Sequence, residues 1–230
     1  MKHSTDKMSE EERVAISSHI EEKFGIRMPE MKKTLLMGRL SKRLRVLGIG
    51  NYGEYFQYIQ SPDGMTHEYP VFADLVSTHE TSFFREPTHY EFLTETALPE
   101  LYKGLKGTGN ELRILSAACS TGEEAYSAAF SIEEFNRNRA GNSLPYRITG
   151  TDMSLKVVQT AARGIYNDNR IQKIPQHIAR RYLMRSRDKN SPLYRVIPEI
   201  RSRMEFIVMN LMDKSYSALK NYHIIFCRNV

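Results

Sequence analysis

The sequence predicts an α/β fold built on a mainly parallel sheet and preceded by an all-helical N-terminal segment. Three observations predict it. Residues 9–75 carry helical periodicity, and no strand signal precedes residue 111. After residue 110, short apolar strands alternate with helices, the pattern of a parallel sheet covered on both faces. Finally, 40% of the 230 residues are hydrophobic and 26% charged, enough to bury a core and to exclude disorder as a description of the chain.

The helical segment opens at Ser9-x-x-Glu12, a capping box ahead of an amphipathic run. Ile16, Ile20 and Phe24 follow at i, i+4 spacing, and Gly25 suits the C-terminal cap. Pro29 can open a second helix, whose Leu36, Leu40, Leu44 and Leu47 form one apolar stripe ended by Gly48. Tyr52 to Ile59 reads as a short third helix, and Ser61-Pro62-Asp63-Gly64 as a turn. Residues 66–78 read as helical, with Pro70 interrupting.

Arg113 to Ala118 is the first strand, followed by a small-residue turn over Cys119 to Gly122 and a helix from Glu123 to Phe130. Tyr146 to Asp152 is a second strand and Leu155 to Arg163 a second helix. Glu205 to Asn210 and His223 to Arg228 supply two more strands. The Arg/Pro-rich stretch 165–203 breaks this rhythm and reads as an inserted subdomain, with a strand at Leu193 to Ile197. The expected organisation is a helical domain over 1–75, a linker and first helix over 76–110, and an α/β domain over 111–230.

Charge and cysteine usage bound the function. The net charge is +6. Residues 32–45 carry Lys32, Lys33, Arg39, Lys42, Arg43 and Arg45 without an acid. Residues 156–203 carry twelve Lys/Arg against Asp168, Asp188 and Glu199. Such surfaces attract phosphate, anionic lipid or acidic protein, and charge alone does not choose among them. No run approaches the roughly 18–20 apolar residues of a membrane span. The opening MKHSTDKMSEEER lacks the apolar centre of a secretory signal. Cys119 and Cys227 are too far apart for a disulfide framework or a zinc-ligand spacing. They read as small buried hydrophobes, with redox sensitivity at the ends of neighbouring strands as the alternative. The expectation is a soluble cytoplasmic protein with reduced thiols and no metal.

In an open parallel sheet the ligand lies beyond the carboxyl ends of the strands. Here those ends are Ala117–Gly122, Thr151–Met153, Asn210–Leu211 and Arg228–Val230. The small residues of the first turn are expected to let the backbone approach a ligand. Glu123 and Glu124 would repel a phosphate at that helix start, so the acids suit a cationic or hydroxyl-bearing ligand. Asp152 stands where an acid holds ribose hydroxyls in nucleotide-type folds, or else caps the helix near Leu155. The G-x-G-x-x-G fingerprint is absent. A ligand with ribose and a positive centre but no phosphate fits S-adenosylmethionine better than a nicotinamide dinucleotide.

Several motifs occur in order: Thr81-Ser-Phe-Phe-Arg-Glu86, Ser116-Ala-Ala-Cys-Ser-Thr-Gly-Glu-Glu124, Thr151-Asp152, Arg163-Gly-Ile-Tyr166, Val208-Met-Asn-Leu211 and Phe226-Cys-Arg-Asn-Val230. Together with the Arg39-Leu-x-x-Arg43-Leu-Arg45-x-Leu-Gly48 helix, they make the chain resemble the CheR family of chemotaxis receptor glutamate methyltransferases over nearly its whole length. The resemblance implies a Rossmann-like S-adenosylmethionine-dependent methyltransferase domain with a small β-subdomain inserted at 165–203, behind a helical receptor-docking domain. It places cofactor contacts on Thr81, Arg85, Glu123, Asp152, Asn210, Leu211, Asn229 and Val230. Glu123 would face the methionine portion with Asn229 and Val230 beside it, Asp152 the ribose, and Asn210 and Leu211 the adenine.

The implied substrate, a glutamate side chain, is already a carboxylate at neutral pH, with a pKa of about 4.3. The implied reaction therefore needs alignment and exclusion of water more than a general base. Arg85 is the implied catalytic residue, keeping the desolvated carboxylate ionised. Lys32, Arg39, Lys42, Arg43 and Arg45 would dock the acidic helical methylation region of the receptor, the alternative being that some only solvate the helix and that Arg43, close to the Leu stripe, is partly structural. The product is S-adenosylhomocysteine, and a monomer without nucleic-acid binding or membrane insertion is expected. His79 stands where relatives often have Asn, and the stretch 185–192 lacks the glycine of a loop through which some relatives hold a receptor pentapeptide. Relatives continue past Val230 into further strands, so the chain is read as C-terminally truncated and weakly active or inactive as it stands. Two alternatives remain: a non-catalytic receptor- or cofactor-binding module of the same fold, and a nucleic-acid methyltransferase, which would show a steep salt slope.

Overall fold

The computed structural model describes residues 8–28, 30–77, 80–137, 139, 142–188, 190–216 and 219–230, with the side chains of residues 30–33 excepted. Two compact units emerge: residues 1–78 with 210–214, and residues 79–209 with 215–230.

The first unit is helical: α1 (Glu10–Phe24), α2 (Glu30–Leu47), α3 (Tyr52–Gln60), α4 (Pro62–His67) and α5 (Tyr69–Val76). The capping box forms, Glu12 N–H donating to Ser9 Oγ at 3.1 Å and Ser9 N–H to Glu12 Oε2 at 2.8 Å. Leu36, Leu40 and Leu44 of the predicted stripe are buried with Ile16, Ile20, Tyr55, Ile59 and Phe72. The Ser61-Pro62-Asp63-Gly64 stretch is not a free turn. Ser61 Oγ accepts from Gly64 N–H at 3.1 Å, Pro62 occupies the first helical position, and α4 begins there. Gly64 is required by contact, since a Cβ at this position would lie 1.8 Å from the Tyr58 carbonyl oxygen.

The second unit begins with α6 (Thr88–Phe92), a π-helical turn over Leu93–Ala97, and α7 (Leu98–Leu105). Then come β1 (Leu112–Ala117), α8 (Glu123–Arg137), β2 (Tyr146–Asp152) and α9 (Leu155–Arg163). The insertion holds β3 (Ile165–Asn167), α10 (Asp168–Ile171), α11 (Gln176–Tyr182), β4 (Leu183–Arg185), β5 (Leu193–Val196) and α12 (Pro198–Arg201). The unit closes with β6 (Met204–Val208) and β7 (Ile224–Cys227).

Among the described residues the main sheet runs β6–β2–β1–β7, each neighbouring pair parallel, as the alternating pattern predicts. Ile114 of β1 is in register with Ile148 of β2 and Ile224 of β7. This order makes β1 and β2 the central strands and puts their carboxyl ends side by side. The insertion forms its own antiparallel sheet, β3–β5–β4, with Tyr194 of β5 opposite both Tyr166 and Arg185. Phe83, Tyr126, Phe130, Ile148, Tyr166 and Tyr182 belong to one buried cluster that joins insertion and main sheet. Cys119 is buried and Cys227 exposed, both free. The packing reading therefore holds for the first and is corrected for the second, which follows the outward-facing side of the edge strand β7.

Candidate active site at the carboxyl ends of β1 and β2

Asp152 ends β2 with its side chain buried. Its carboxylate accepts two backbone N–H bonds, from Ser120 (2.9 Å, Oδ2) and from Ser154 (3.0 Å, Oδ1). It thereby stitches the turn after β1 to the turn after β2. Ser154, not Asp152, is the N-cap of α9, its hydroxyl accepting from Val157 N–H. Two further hydroxyls at these strand ends, Ser120 Oγ and Thr151 Oγ1, are buried without a hydrogen-bond partner. A buried orphan hydroxyl is costly, and a ligand rich in hydroxyls would satisfy both.

The turn itself is strained. Ala118 (φ 54°) and Ser120 (φ 51°) adopt the left-handed conformation that favours glycine. Gly122, at φ 91°, is also required by packing. A Cβ here would lie 2.9 Å from Ala161 Cβ and 3.3 Å from the Tyr166 hydroxyl. The glycine serves close packing of the turn on α9 and β3.

Two acids follow at the start of α8. Glu123 is fully buried, its carboxylate taking the Thr121 hydroxyl at 2.6 Å and the Arg170 guanidinium. Glu124 is held by the Ser116 hydroxyl (2.7 Å) and by Arg228 (3.2 Å). Burial pushes the Glu124 carboxyl above the usual carboxylate range against both partners.

The 81–86 loop comes next to these acids through α8. Phe83 is buried, stacked on Phe130 and edge-on to Tyr166. Phe84 N–H donates to Ser127 Oγ at 2.9 Å, and that hydroxyl donates to the Glu123 carbonyl at 2.6 Å. Phe84 (φ 50°) and Glu86 (φ 57°) are left-handed. Arg228 locks the loop: it donates to the Arg85 carbonyl at 2.7 Å and pairs with Glu86 at 2.9 Å. That hydrogen bond holds the Glu86 carboxyl below its ordinary value. Arg85 itself is half-buried, its Nη1 on the Glu80 carbonyl at 2.8 Å. Asn229, left-handed at φ 55°, places its amide 3.5 Å from Glu86.

The expected cofactor residues thus divide. Thr81, Arg85, Glu123, Asp152 and Asn229 belong to one unit, and Val230 follows Asn229 in an exposed position. Asn210 and Leu211 fall in the 210–214 segment of the helical unit, where Asn210 donates to the Lys23 carbonyl at 2.7 Å.

The basic set divides too. Arg39 Nη1 donates to the carbonyls of Leu75 (2.9 Å) and Ser77 (2.8 Å), closing the end of α5. Arg43 grips buried Glu68 with two bonds of 2.9 and 2.6 Å. Both guanidinium groups are therefore structural partners within the helical unit. Lys42 and Arg45 are exposed, while the side chain of Lys32 and the whole of His79 lie outside the described residues.

Comparison with known proteins decides the family. Residues 79–230 match the family model described as CheR methyltransferase, SAM binding domain, and residues 11–77 match CheR methyltransferase, all-alpha domain. The chain belongs to the CheR methyltransferase family. It is 36% identical over 208 residues to the chemotaxis protein methyltransferase of Borreliella burgdorferi, covering 90% of this chain and 72% of that protein. Chemotaxis protein methyltransferase 1 of Pseudomonas aeruginosa is 37% identical over 213 residues, covering 92% of this chain and 75% of that protein. The Escherichia coli chemotaxis protein methyltransferase is 31% identical, covering 94% and 71%.

The cofactor of this CheR domain is accordingly S-adenosylmethionine. The strand-end chemistry fits it: a buried carboxylate and two unpartnered hydroxyls, Ser120 Oγ and Thr151 Oγ1, suit a ribose. Among the described residues no group of three His, Cys, Asp or Glu is placed to hold a metal, and no helix is long and apolar enough to cross a membrane. Sequence reasoning missed Arg170 and Arg228. Arg228 had a signal, its place inside the Phe226-Cys-Arg-Asn-Val230 motif. Arg170 had none, being one of many cations in the insertion.

Proposed function

We propose that this CheR protein transfers the methyl group of S-adenosylmethionine to glutamate side chains in the acidic helical region of chemotaxis receptors, giving glutamyl methyl esters. Bound cofactor supplies an electrophilic methyl on a sulfonium. The protein's own residues bind, orient and exclude water. Asp152 supports this reading most strongly: its position is pinned by two turns, and orphan hydroxyls lie at the same strand ends. Such a pair of turns is rigid before the ligand arrives, which lowers the ordering cost of binding.

Arg85 keeps the incoming carboxylate ionised as it leaves water. Its loop is fixed by Phe83, Ser127 and Arg228, so the guanidinium needs little reorganisation. Thr81, Glu123, Asn210, Leu211, Asn229 and Val230 complete the proposed cofactor contacts. Residues 1–75 act as the docking domain, with Lys32, Lys42 and Arg45 steering the acidic receptor, and the enzyme works in the cytoplasm as a monomer. Relatives named chemotaxis protein methyltransferases support this assignment of pathway.

The test is transfer of labelled methyl from S-adenosylmethionine to a receptor cytoplasmic fragment. The expected product is a base-labile ester, mapped to glutamates by mass spectrometry. Label in a base-stable amine or thioether would overturn the glutamate reading while leaving the methyltransferase standing. Label in RNA or DNA would transfer the assignment to nucleic acid.

A further inference from the structure

Glu123 opens α8 with a carboxylate that has no contact with solvent. Thr121 donates its hydroxyl to Oε2 at 2.6 Å, and Arg170 Nη2 donates to Oε1. The same Nη2 reaches Thr121 Oγ1 at 2.6 Å, so the three side chains close a triangle. Among the described residues, Arg170 is the cation paired with this carboxylate. It comes from α10, inside the insertion, 47 positions along the chain.

The contact is not isolated. Tyr166 of β3 donates its hydroxyl to the Thr121 carbonyl at 2.7 Å. Lys173, just after α10, reaches Ser82 Oγ at 3.2 Å. The insertion therefore touches the turn after β1 twice and the 81–86 loop once. A fully buried carboxylate without a counter-charge is strongly unfavourable, and removing one partner of a buried pair leaves the other charge stranded. The Glu123 carboxylate therefore depends on a residue outside the main sheet.

We infer that Arg170 is a positioning residue of the cofactor site, through which the inserted subdomain completes that site. It fixes the direction of the Glu123 carboxylate, and it acts on the cofactor only through Glu123. This rests on Glu123 being a cofactor ligand. By linkage, cofactor binding in turn steadies the β3–α10 segment.

Calorimetric titration of S-adenosylhomocysteine into the full chain tests this with Arg170→Ala, Arg170→Lys, Glu123→Gln and the double variant Glu123→Gln/Arg170→Ala. Arg170→Ala is expected to weaken binding roughly tenfold. Arg170→Lys should recover part of the loss, because it keeps the charge. In the Glu123→Gln background, Arg170→Ala should cost nothing further. Hydrogen exchange should show residues 165–171 protected by S-adenosylhomocysteine in the parent chain and not in Arg170→Ala. Unchanged affinity in Arg170→Ala, with Glu123→Gln impaired, would overturn the inference alone, as would fully additive losses. Unchanged affinity in Glu123→Gln would overturn the ligand role of Glu123 and the inference with it. Should Arg170→Ala fail to fold by circular dichroism, the same cycle run with Arg170→Lys decides.

Discussion

Each unit of this protein contains a buried glutamate held by one arginine and one hydroxyl. In the helical unit, Glu68 takes two bonds from Arg43 and one from the Tyr55 hydroxyl at 2.9 Å. In the α/β unit, Glu123 takes Arg170 and the Thr121 hydroxyl. Burial and pairing are nearly the same, at 2% and 0% exposure. The surroundings differ. Glu68 lies between short helices of right-handed backbone. Glu123 follows Ala118 and Ser120 and connects through Ser127 to Phe84 and Glu86. With Asn229, these account for five of the six non-glycine residues at positive φ among those described. Left-handed backbone at non-glycine residues costs on the order of 1–3 kcal/mol each and gathers where function holds it. A paired, buried acid is therefore not a functional signal by itself. Strain around it, at the carboxyl end of a parallel sheet, is.

The sharpest way to break the comparison is to remove one buried acid from each unit in turn. Glu68→Ala leaves Arg43 without its carboxylate and Tyr55 without its acceptor. We expect a loss of about 3 kcal/mol in urea unfolding, the low end for a broken buried pair because Arg43 reaches solvent. Affinity for S-adenosylhomocysteine should not change. A change in that affinity would show that the helical unit's ion pair is not merely scaffold.

Next in size is Asp152→Ala. The Ser120 and Ser154 N–H groups lose their acceptor, and the proposed ribose partner is gone. Affinity for S-adenosylhomocysteine should fall roughly tenfold to a hundredfold, the range for hydrogen bonds to a charged group. Calorimetry reads this directly. Parent-like affinity would remove Asp152 from the cofactor site.

What the sequence made legible follows the same division. The parallel sheet is legible as short apolar runs alternating with helices, the α8 start as two acids after a small-residue turn, and Leu36–Leu40–Leu44 as a helical stripe, and all three appear as read. Arg39 and Arg43 recur on the flank of that stripe, and a periodic basic flank reads as a surface, with only Arg43 close enough to the stripe to read as partly structural. The flank instead meets the α5 carbonyls and Glu68, partners 25 to 38 residues away that periodicity cannot announce. Ser61-Pro62-Asp63-Gly64 has the composition of both a turn and a helix start, and here Ser61 caps the helix with Pro62 at its first position. Arg170 was invisible for the reason that it matters: its partner lies in another subdomain.

A smaller effect is expected from pH, again separating the units. His19 is half-buried among Phe56, Tyr69 and Phe72, with Nε2 3.0 Å from the Tyr69 hydroxyl. Burial, then Lys23, lowers its pKa against a weaker opposing pull from Glu22. A histidine whose folded pKa is depressed is neutral in the native state and binds its proton more readily when unfolded. Its stabilisation is present above the unfolded value of about 6.5 and is lost as pH falls through the lower folded value. Urea unfolding at pH 7.5 and at pH 5.5 should show the helical unit weakening on the acid side, and His19→Phe should flatten that slope. An unaltered slope in the variant would assign the acid sensitivity to other groups.

The smallest expected effect on stability belongs to Lys42 and Arg45, and it sharpens the comparison most, because these are exposed cations of α2 whose neighbours Arg39 and Arg43 are committed internally. Exposed charges contribute little to folding, so Lys42→Glu with Arg45→Glu should move stability by no more than about 0.5 kcal/mol. Their effect should appear in association. A basic surface steering an acidic receptor raises the on-rate, and salt screens that steering over a Debye length of about 10 Å at 0.1 M. Stopped-flow binding to a receptor fragment should therefore show the double variant slower at low salt and converging with the parent at high salt. Dissociation and S-adenosylhomocysteine affinity should remain unchanged. An on-rate equally insensitive to salt in both proteins would place receptor docking elsewhere, and the helical unit would then be scaffold throughout.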